Sequence, residues 1–288
     1  MIAYDSSPTA LFFPETRPTV FGTAAIPSEE ALAIEAARLA YLCFETQVQA
    51  RLDLTSALRA ADFGGPTTFN DRSVVPIGFF TDSQGYAALR KADGLAILAF
   101  RGTQPTRPRD ILLDFDFHTA ASPHWPGSVH HGFLHAAEAL WPDVKAWLEG
   151  EGASRKLLLV CGHSLGAAIA TLIAMRSKAE RLITIGAPRV GDATFVAGLA
   201  ATQIKRTRIV DSDDIVTQLP PKFLGYRHPN DGVLIEKNGH INLMPNPAQV
   251  DQDVGLQILF NLAVPSIEAL PPVLSDHATV NYLRAYWP

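Results

Sequence analysis

Residues 156–175 read Lys-Leu-Leu-Leu-Val-Cys-Gly-His-Ser-Leu-Gly-Ala-Ala-Ile-Ala-Thr-Leu-Ile-Ala-Met, and they leave the chain few ways to fold. A short apolar run ends at Cys161, the group Gly162-His163-Ser164-Leu165-Gly166 follows, and then a small, alanine-rich helical pattern begins. That order predicts a strand, a sharp turn and a helix, with Ser164 at the apex and a glycine two places away on each side. A serine in an unfavourable backbone conformation needs neighbours without side chains if strand and helix are to pass close together. The turn holds the hydroxyl clear of the backbone and aims the helix N-terminus at it, where developing negative charge is favoured. Ser164 is therefore a candidate nucleophile. A Gly-Ser turn that only caps a helix is the plainer alternative, and the strand–helix context weighs against it.

The same alternation continues downstream. Residues 181–186 read as a strand, 192–199 as a short helix and 204–210 as another strand, an order that predicts a parallel sheet with helices on both faces. Upstream, residues 86–94 and 95–100 predict a hairpin turning at Asp93-Gly94, and its second strand is apolar on both faces, as a central strand should be. Residues 74–80 read as an edge strand and 233–236 as a late strand. Ser28 followed by Glu29 and Glu30 resembles a helix start, and Ala31, Ile34, Leu39, Leu42 and Cys43 recur at helical spacing. Helical character resumes through Leu52, Leu54 and Leu58 and stops at residues 62–66. Residues 132–148 form an amphipathic pattern in which Pro142 predicts a kink or a new segment. Residues 276–286 read as a closing helix, and residues 1–27, rich in Pro and Thr, as an extended arm. With no repeat and no internal linker, the expectation is one domain over residues 1–288.

Bulk properties narrow the function classes. Of 288 residues 47% are hydrophobic, enough for a sizeable core. A formal charge of −5 with scattered Lys and Arg leaves no footprint for nucleic acid. No run approaches the ~18 apolar residues of a membrane span. The start, Met1 to Asp5, is not basic and residues 10–13 are too short for a signal core, so the expectation is a cytoplasmic protein or export without a cleavable signal. Two cysteines, Cys43 and Cys161, make a disulfide framework unlikely to be the organising device; both read as buried small apolar residues.

A serine hydroxyl needs a base within hydrogen-bond reach, and the base needs an orienting carboxylate. In a doubly wound sheet such groups gather at the carboxyl ends of the strands. Asp211, Asp213 and Asp214 follow the strand at 204–210. His228, His240 and His277 lie later in the chain, and His277, just before the closing helix, is best placed to reach back over the sheet. The oxyanion donors expected are the N–H of Leu165 and the loop Arg101-Gly102-Thr103, where Thr103 adds a hydroxyl.

At this point several motifs, in order, resemble the class 3 (fungal-type) triacylglycerol lipases, an α/β-hydrolase family. Residues 99–103 (Ala-Phe-Arg-Gly-Thr) resemble its oxyanion strand, residues 129–133 the start of the next helix, residues 162–166 the elbow and residues 185–191 the following strand. Residues 214–221 (Asp-Ile-Val-Thr-Gln-Leu-Pro-Pro) resemble its acid segment, residues 226–228 the lead into the next strand, and Asp276-His277 its histidine segment. The resemblance spans roughly residues 74–285. It implies an α/β-hydrolase fold, Asp214 as the acid, His277 as the base, Thr103 as a side-chain donor and a short lid at 104–117. The lid would carry Ile111, Leu112, Leu113 and Phe115, a group that local sequence alone reads as a small core helix.

The chain departs from the family pattern in a lid preceded by Pro105, Arg107, Pro108 and Arg109, in a long Pro-rich apolar insert at 245–274, and in a His-rich stretch at 118–135. His131 and His135 share a helix face, but a metal site lacks an acidic ligand and the implied chemistry needs neither metal nor cofactor. The activity implied is hydrolysis of lipid carboxylic esters through a Ser-His-Asp triad and an acyl-enzyme, at a transient lipid–water interface. A short-chain carboxylesterase, a phospholipase A1 and a feruloyl-type esterase are the alternatives within enzymes. A non-catalytic lipid-binding protein would show a broken triad, and none of its residues is missing here.

Overall fold

The computed structural model of the chain describes residues 2–42, 47–70, 84–102, 117–252 and 272–287. The edge strand expected at 74–80, Cys43, Thr103, the lid segment up to residue 116 and residues 253–271 of the Pro-rich insert lie outside them. Ten strands are described: β1 (Thr67–Asn70), β2 (Gln84–Arg90), β3 (Leu95–Phe100), β4 (Thr119–Ser122), β5 (Trp125–His130), β6 (Leu157–His163), β7 (Arg181–Ile185), β8 (Lys205–Asp211), β9 (Val233–Ile235) and β10 (Ile241–Asn242). Eight form one sheet in the order β1-β2-β3-β6-β7-β8-β9-β10, and β4 and β5 pair as a separate hairpin. From β3 to β9 the neighbours are parallel. β1, β2 and β10 add antiparallel edges.

The helices that flank this sheet are α1 (Pro8–Phe12), α2 (Glu29–Leu39), α3 (Val48–Ala60), α4 (His131–Glu149), α5 (Leu165–Ser177), α6 (Ala193–Ala200) and α7 (Thr279–Tyr286), with shorter turns between them. Period-two alternation sorts the strand side chains onto two faces. Leu98, Phe100, Leu158, Val160 and Leu182 pack under α4, α5 and α6 with Phe133, Leu140, Ile173 and Phe195. Ile97, Ala99, Leu159, Cys161 and Ile183 pack on the other face with Ile34, Leu54, Leu58, Tyr282 and Leu283 of α2, α3 and α7. The fold is thus a mostly parallel sheet with helices on both faces, the layering that the resemblance implies. Among the described residues no helix is long and apolar enough to cross a membrane.

Local chemistry sets the element ends. Ser28 Oγ accepts from the Ala31 N–H at 3.1 Å, and Glu29 and Glu30 occupy the first turn of α2. Three expectations need correction. Pro142 does not divide the helix at 131–149. It lies on the exposed side, where water can solvate the carbonyl freed by its missing N–H, while Phe133, Leu140, Val144 and Trp147 keep the opposite side packed. The arm at 1–27 is not wholly extended, because Ser7 caps the short α1 by accepting from Ala10 N–H. The closing helix begins at Thr279, after an extended Ala278, so Asp276 and His277 sit in the turn before it.

Candidate active site

Ser164 joins β6 to α5 with φ 58° and ψ −130°. Such backbone for a non-glycine residue costs about 1–3 kcal/mol and persists only when its surroundings enforce it. The flanking glycines show how. A Cβ at Gly162 would lie 2.2 Å from the carbonyl oxygen of Gly166, and one at Gly166 would lie 2.2 Å from that of Phe100. The first glycine lets α5 fold back on β6; the second lets α5 lie against the end of β3. Leu165, the first residue of α5, is buried, and its N–H is one of the first-turn donors that a helix leaves without an intrahelical acceptor.

Two further segments reach the same end of the sheet. His277 Nδ1 lies 2.8 Å from Asp214 Oδ2, and both side chains are almost wholly buried. Asp214 follows β8 and is held by three groups. Its Oδ1 accepts from the Val216 N–H at 2.9 Å, and its Oδ2 accepts from Tyr282 Oη at 2.5 Å as well as facing His277. A carboxylate so anchored fixes the ring plane and tautomer of the imidazole it faces. Asp213 instead pairs with exposed Lys237 at 2.7 Å, and Asp211 is buried, with no hydrogen-bond partner for either carboxylate oxygen among the described residues. His228 Nε2 donates to the Thr217 carbonyl, 2.7 Å away, and His240 is exposed beside Glu236. Of the three histidines only His277 faces one of these acids after β8 in a buried pair.

His163 ties the parts together. Its Nε2 lies 2.8 Å from the carbonyl oxygen of His277, so Nε2 carries the proton. Nδ1 then accepts from Tyr41 Oη at 2.7 Å, and Tyr41 Oη accepts from the Gly102 N–H at 3.1 Å. One buried chain of hydrogen bonds thus runs from the loop after β3, through the residue before Ser164, to the backbone of His277. Burial, and next the charge of His277, hold the His163 pKa well below the usual imidazole value, so the ring stays neutral and the tautomer fixed. The rings of His163 and His277 are 4.5 Å apart.

Sequence reasoning gave no role to Tyr41, His163 or Tyr282, because hydrogen bonds across 61, 114 and 68 residues leave no local pattern. Gly186 was legible only as part of a motif. It follows β7 directly at φ +57°, and a Cβ there would lie 2.9 Å from Asp214 Oδ2 and 3.0 Å from His277 Nδ1. The His-rich stretch has another use: His130 Nδ1 caps α4 by accepting from the Gly132 N–H at 3.1 Å, and its ring stacks on Phe133. Among the described residues no group of three or more His, Cys, Asp or Glu is arranged to hold a metal ion.

A serine on a strained strand–helix turn, a buried imidazole–carboxylate pair and a helix N-terminus at one end of a parallel sheet can together run acyl transfer. Comparison with known proteins agrees with that layout. Residues 97–224, which hold most of β3, the Ser164 turn and the Asp214 segment, match the family described as Lipase (class 3). Over that segment the chain is similar to the class 3 lipases. It is 32% identical to the lipase of Rhizopus niveus over 164 residues, which are 52% of this chain and 41% of that relative. It is 28% identical to the secreted mono- and diacylglycerol lipase 1 of Fusarium solani over 206 residues, 64% of this chain and 61% of that one. The chain therefore spans less than two thirds of the length of these relatives. Among solved structures, the lipase from Rhizopus microsporus var. chinensis superposes with a TM-score of 0.56 at 28% identity, covering 72% of each chain. Lipase II from Rhizopus niveus superposes with a TM-score of 0.56 at 27% identity, covering 71% of this chain and 77% of that one.

Proposed function

We propose that this chain is a serine hydrolase of lipid carboxylic esters, acting through Ser164, His277 and Asp214 within one domain over residues 1–288. The observation that carries the reading is the buried His277–Asp214 pair, 2.8 Å apart, at the strand ends that also present Ser164 at φ 58°. His277 takes the proton from Ser164 as its Oγ attacks the ester carbonyl, and Asp214 stabilises the imidazolium. The N–H groups of Leu165 and Thr103, with the Thr103 hydroxyl, bind the tetrahedral oxyanion. His277 then protonates the leaving alcohol, and water repeats the sequence on the acyl-enzyme.

Lipid esters are favoured as substrates by the lipase names of the relatives and by the apolar residues Ile111, Leu112, Leu113 and Phe115 in the lid segment. An apolar lid that opens exposes a face able to adsorb to an oil surface. A chain-length series of p-nitrophenyl esters, with and without emulsified triglyceride, tests this. Turnover beyond about C4 together with hydrolysis of the emulsion supports the reading; a rate that collapses above C4 with no action on the emulsion replaces it with a short-chain esterase.

A further inference from the structure

The first dozen residues take part in none of the motifs, yet they are bound to the segment that carries His277. Tyr4 Oη donates to Asp276 Oδ1 at 2.7 Å, and Asp276 Oδ2 accepts from the Asp213 N–H at 3.3 Å. In the first turn of α7, fully buried Asn281 makes a reciprocal pair with Asp5: the Asp5 N–H donates to Asn281 Oδ1 and Asn281 Nδ2 donates to the Asp5 carbonyl, each at 2.9 Å. The same Nδ2 donates to the Ser275 carbonyl at 2.8 Å. These bonds grip the turn on both sides of His277.

The next residues grip the acid. Ala10, Leu11 and Phe12 of α1 form one apolar cluster with Ile215, Val216 and Leu219, which follow Asp214, and with Leu274, Ala278 and Val280, which flank His277. The arm is itself anchored to the body. Buried Arg38 of α2 donates to the carbonyls of Pro14 at 2.6 Å and Arg17 at 3.0 Å, and Arg17 pairs with Asp5. Asp214 and His277 are 63 residues apart, and the arm is packed against both of their segments at once.

We propose that residues 4–12 form a strap that sets the position of the base, with Tyr4 and Asn281 as positioning residues for His277. The proposal rests on the reading of His277 as the base. A hydrolase needs its base held to a fraction of an ångström, and small misplacement lowers turnover far more than it lowers binding. The strap supplies this from outside the catalytic motifs, at a turn whose own backbone is not helical.

The test uses the full chain and two variants. Tyr4→Phe removes one donor and keeps the ring, over which the Arg284 guanidinium lies at 4.8 Å. Asn281→Asp keeps the acceptor and loses both donors. Each is expected to lower kcat on p-nitrophenyl butyrate by roughly three- to tenfold at unchanged KM, and to shift or broaden the downfield Nδ1 proton resonance of His277. Asp276→Asn, which keeps an acceptor for Tyr4, is expected to retain more activity than Asp276→Ala. If Asn281→Asp does not fold, Tyr4→Phe decides. Unchanged kcat and an unchanged resonance in folded Tyr4→Phe overturn the strap. Absence of ester turnover in the wild-type chain overturns the hydrolase reading instead, and the resonance comparison still decides the strap.

Discussion

Asp211 offers the sharpest energetic prediction. Its side chain is fully buried at the end of β8, and among the described residues neither carboxylate oxygen has a hydrogen-bond partner. Burial first, then the nearby charge of Asp276, push its pKa from 3.8 up to about 8. An acid whose folded pKa is raised binds its proton more tightly in the native state, so stability falls as pH rises from about 4 to about 8 and is flat beyond. At pH 7 the full linkage is 3.2 pH units at about 1.4 kcal/mol each, or about 4 kcal/mol; relaxation of the site reduces this, and about 2 kcal/mol is a fair expectation. Asp211→Asn mimics the neutral acid in shape and cannot ionise. Thermal unfolding followed by circular dichroism between pH 4 and pH 9 should show the variant above wild type by roughly 4–8 °C at pH 7 and above, with the gap closing toward pH 4. A gap of constant size across that range, or a variant less stable than wild type at pH 8, would refute the account of Asp211 as a neutral buried acid.

Other substitutions test the site piece by piece. Ser164→Gly should abolish ester turnover yet raise the unfolding temperature, because it releases about 1–3 kcal/mol of positive-φ strain; a less stable glycine variant would show that the turn is unstrained. Gly186→Ala should lower kcat at least tenfold, since its methyl group would press within 3 Å of both Asp214 and His277; kinetics like wild type would disprove that close approach. Tyr282→Phe removes the 2.5 Å bond to Asp214 and the acceptor of the Asp211 N–H, and should destabilise the fold by about 1–3 kcal/mol with a loss of kcat; denaturant unfolding and steady-state kinetics read both.

Much of the sheet could be read from residue order because each central strand is short, apolar and punctuated, and the strand–helix alternation admits one handedness and one layering. Ser164 was legible because steric demand writes itself into sequence: Gly162 and Gly166 are at fixed offsets from it. The candidate acid was legible only as a choice among Asp211, Asp213 and Asp214 until family resemblance narrowed it, because three neighbouring carboxylates at one strand end look alike in sequence and differ only in what they face. Nothing local in the sequence distinguishes a phenol that only packs from one, such as Tyr41 or Tyr282, that also donates to a buried acceptor. The amino-terminal arm carried no periodicity, so its grip on Asn281 and Asp276, made by side chains and backbone across more than 270 residues, left no signal at all. The β4–β5 hairpin was hidden by its histidines, which drew attention to ligation and away from Val129 and Trp125, the buried residues that pair and pack it.

The central claim is that Ser164 is an activated nucleophile. Incubation of the wild-type chain with a fluorophosphonate, followed by peptide mass spectrometry, tests it most directly. The account predicts one label per chain on the peptide that contains Ser164, with labelling lost in Ser164→Ala and strongly slowed when His277 is replaced by Ala. No label on the folded wild-type chain, or a label at another serine that survives Ser164→Ala, would contradict it.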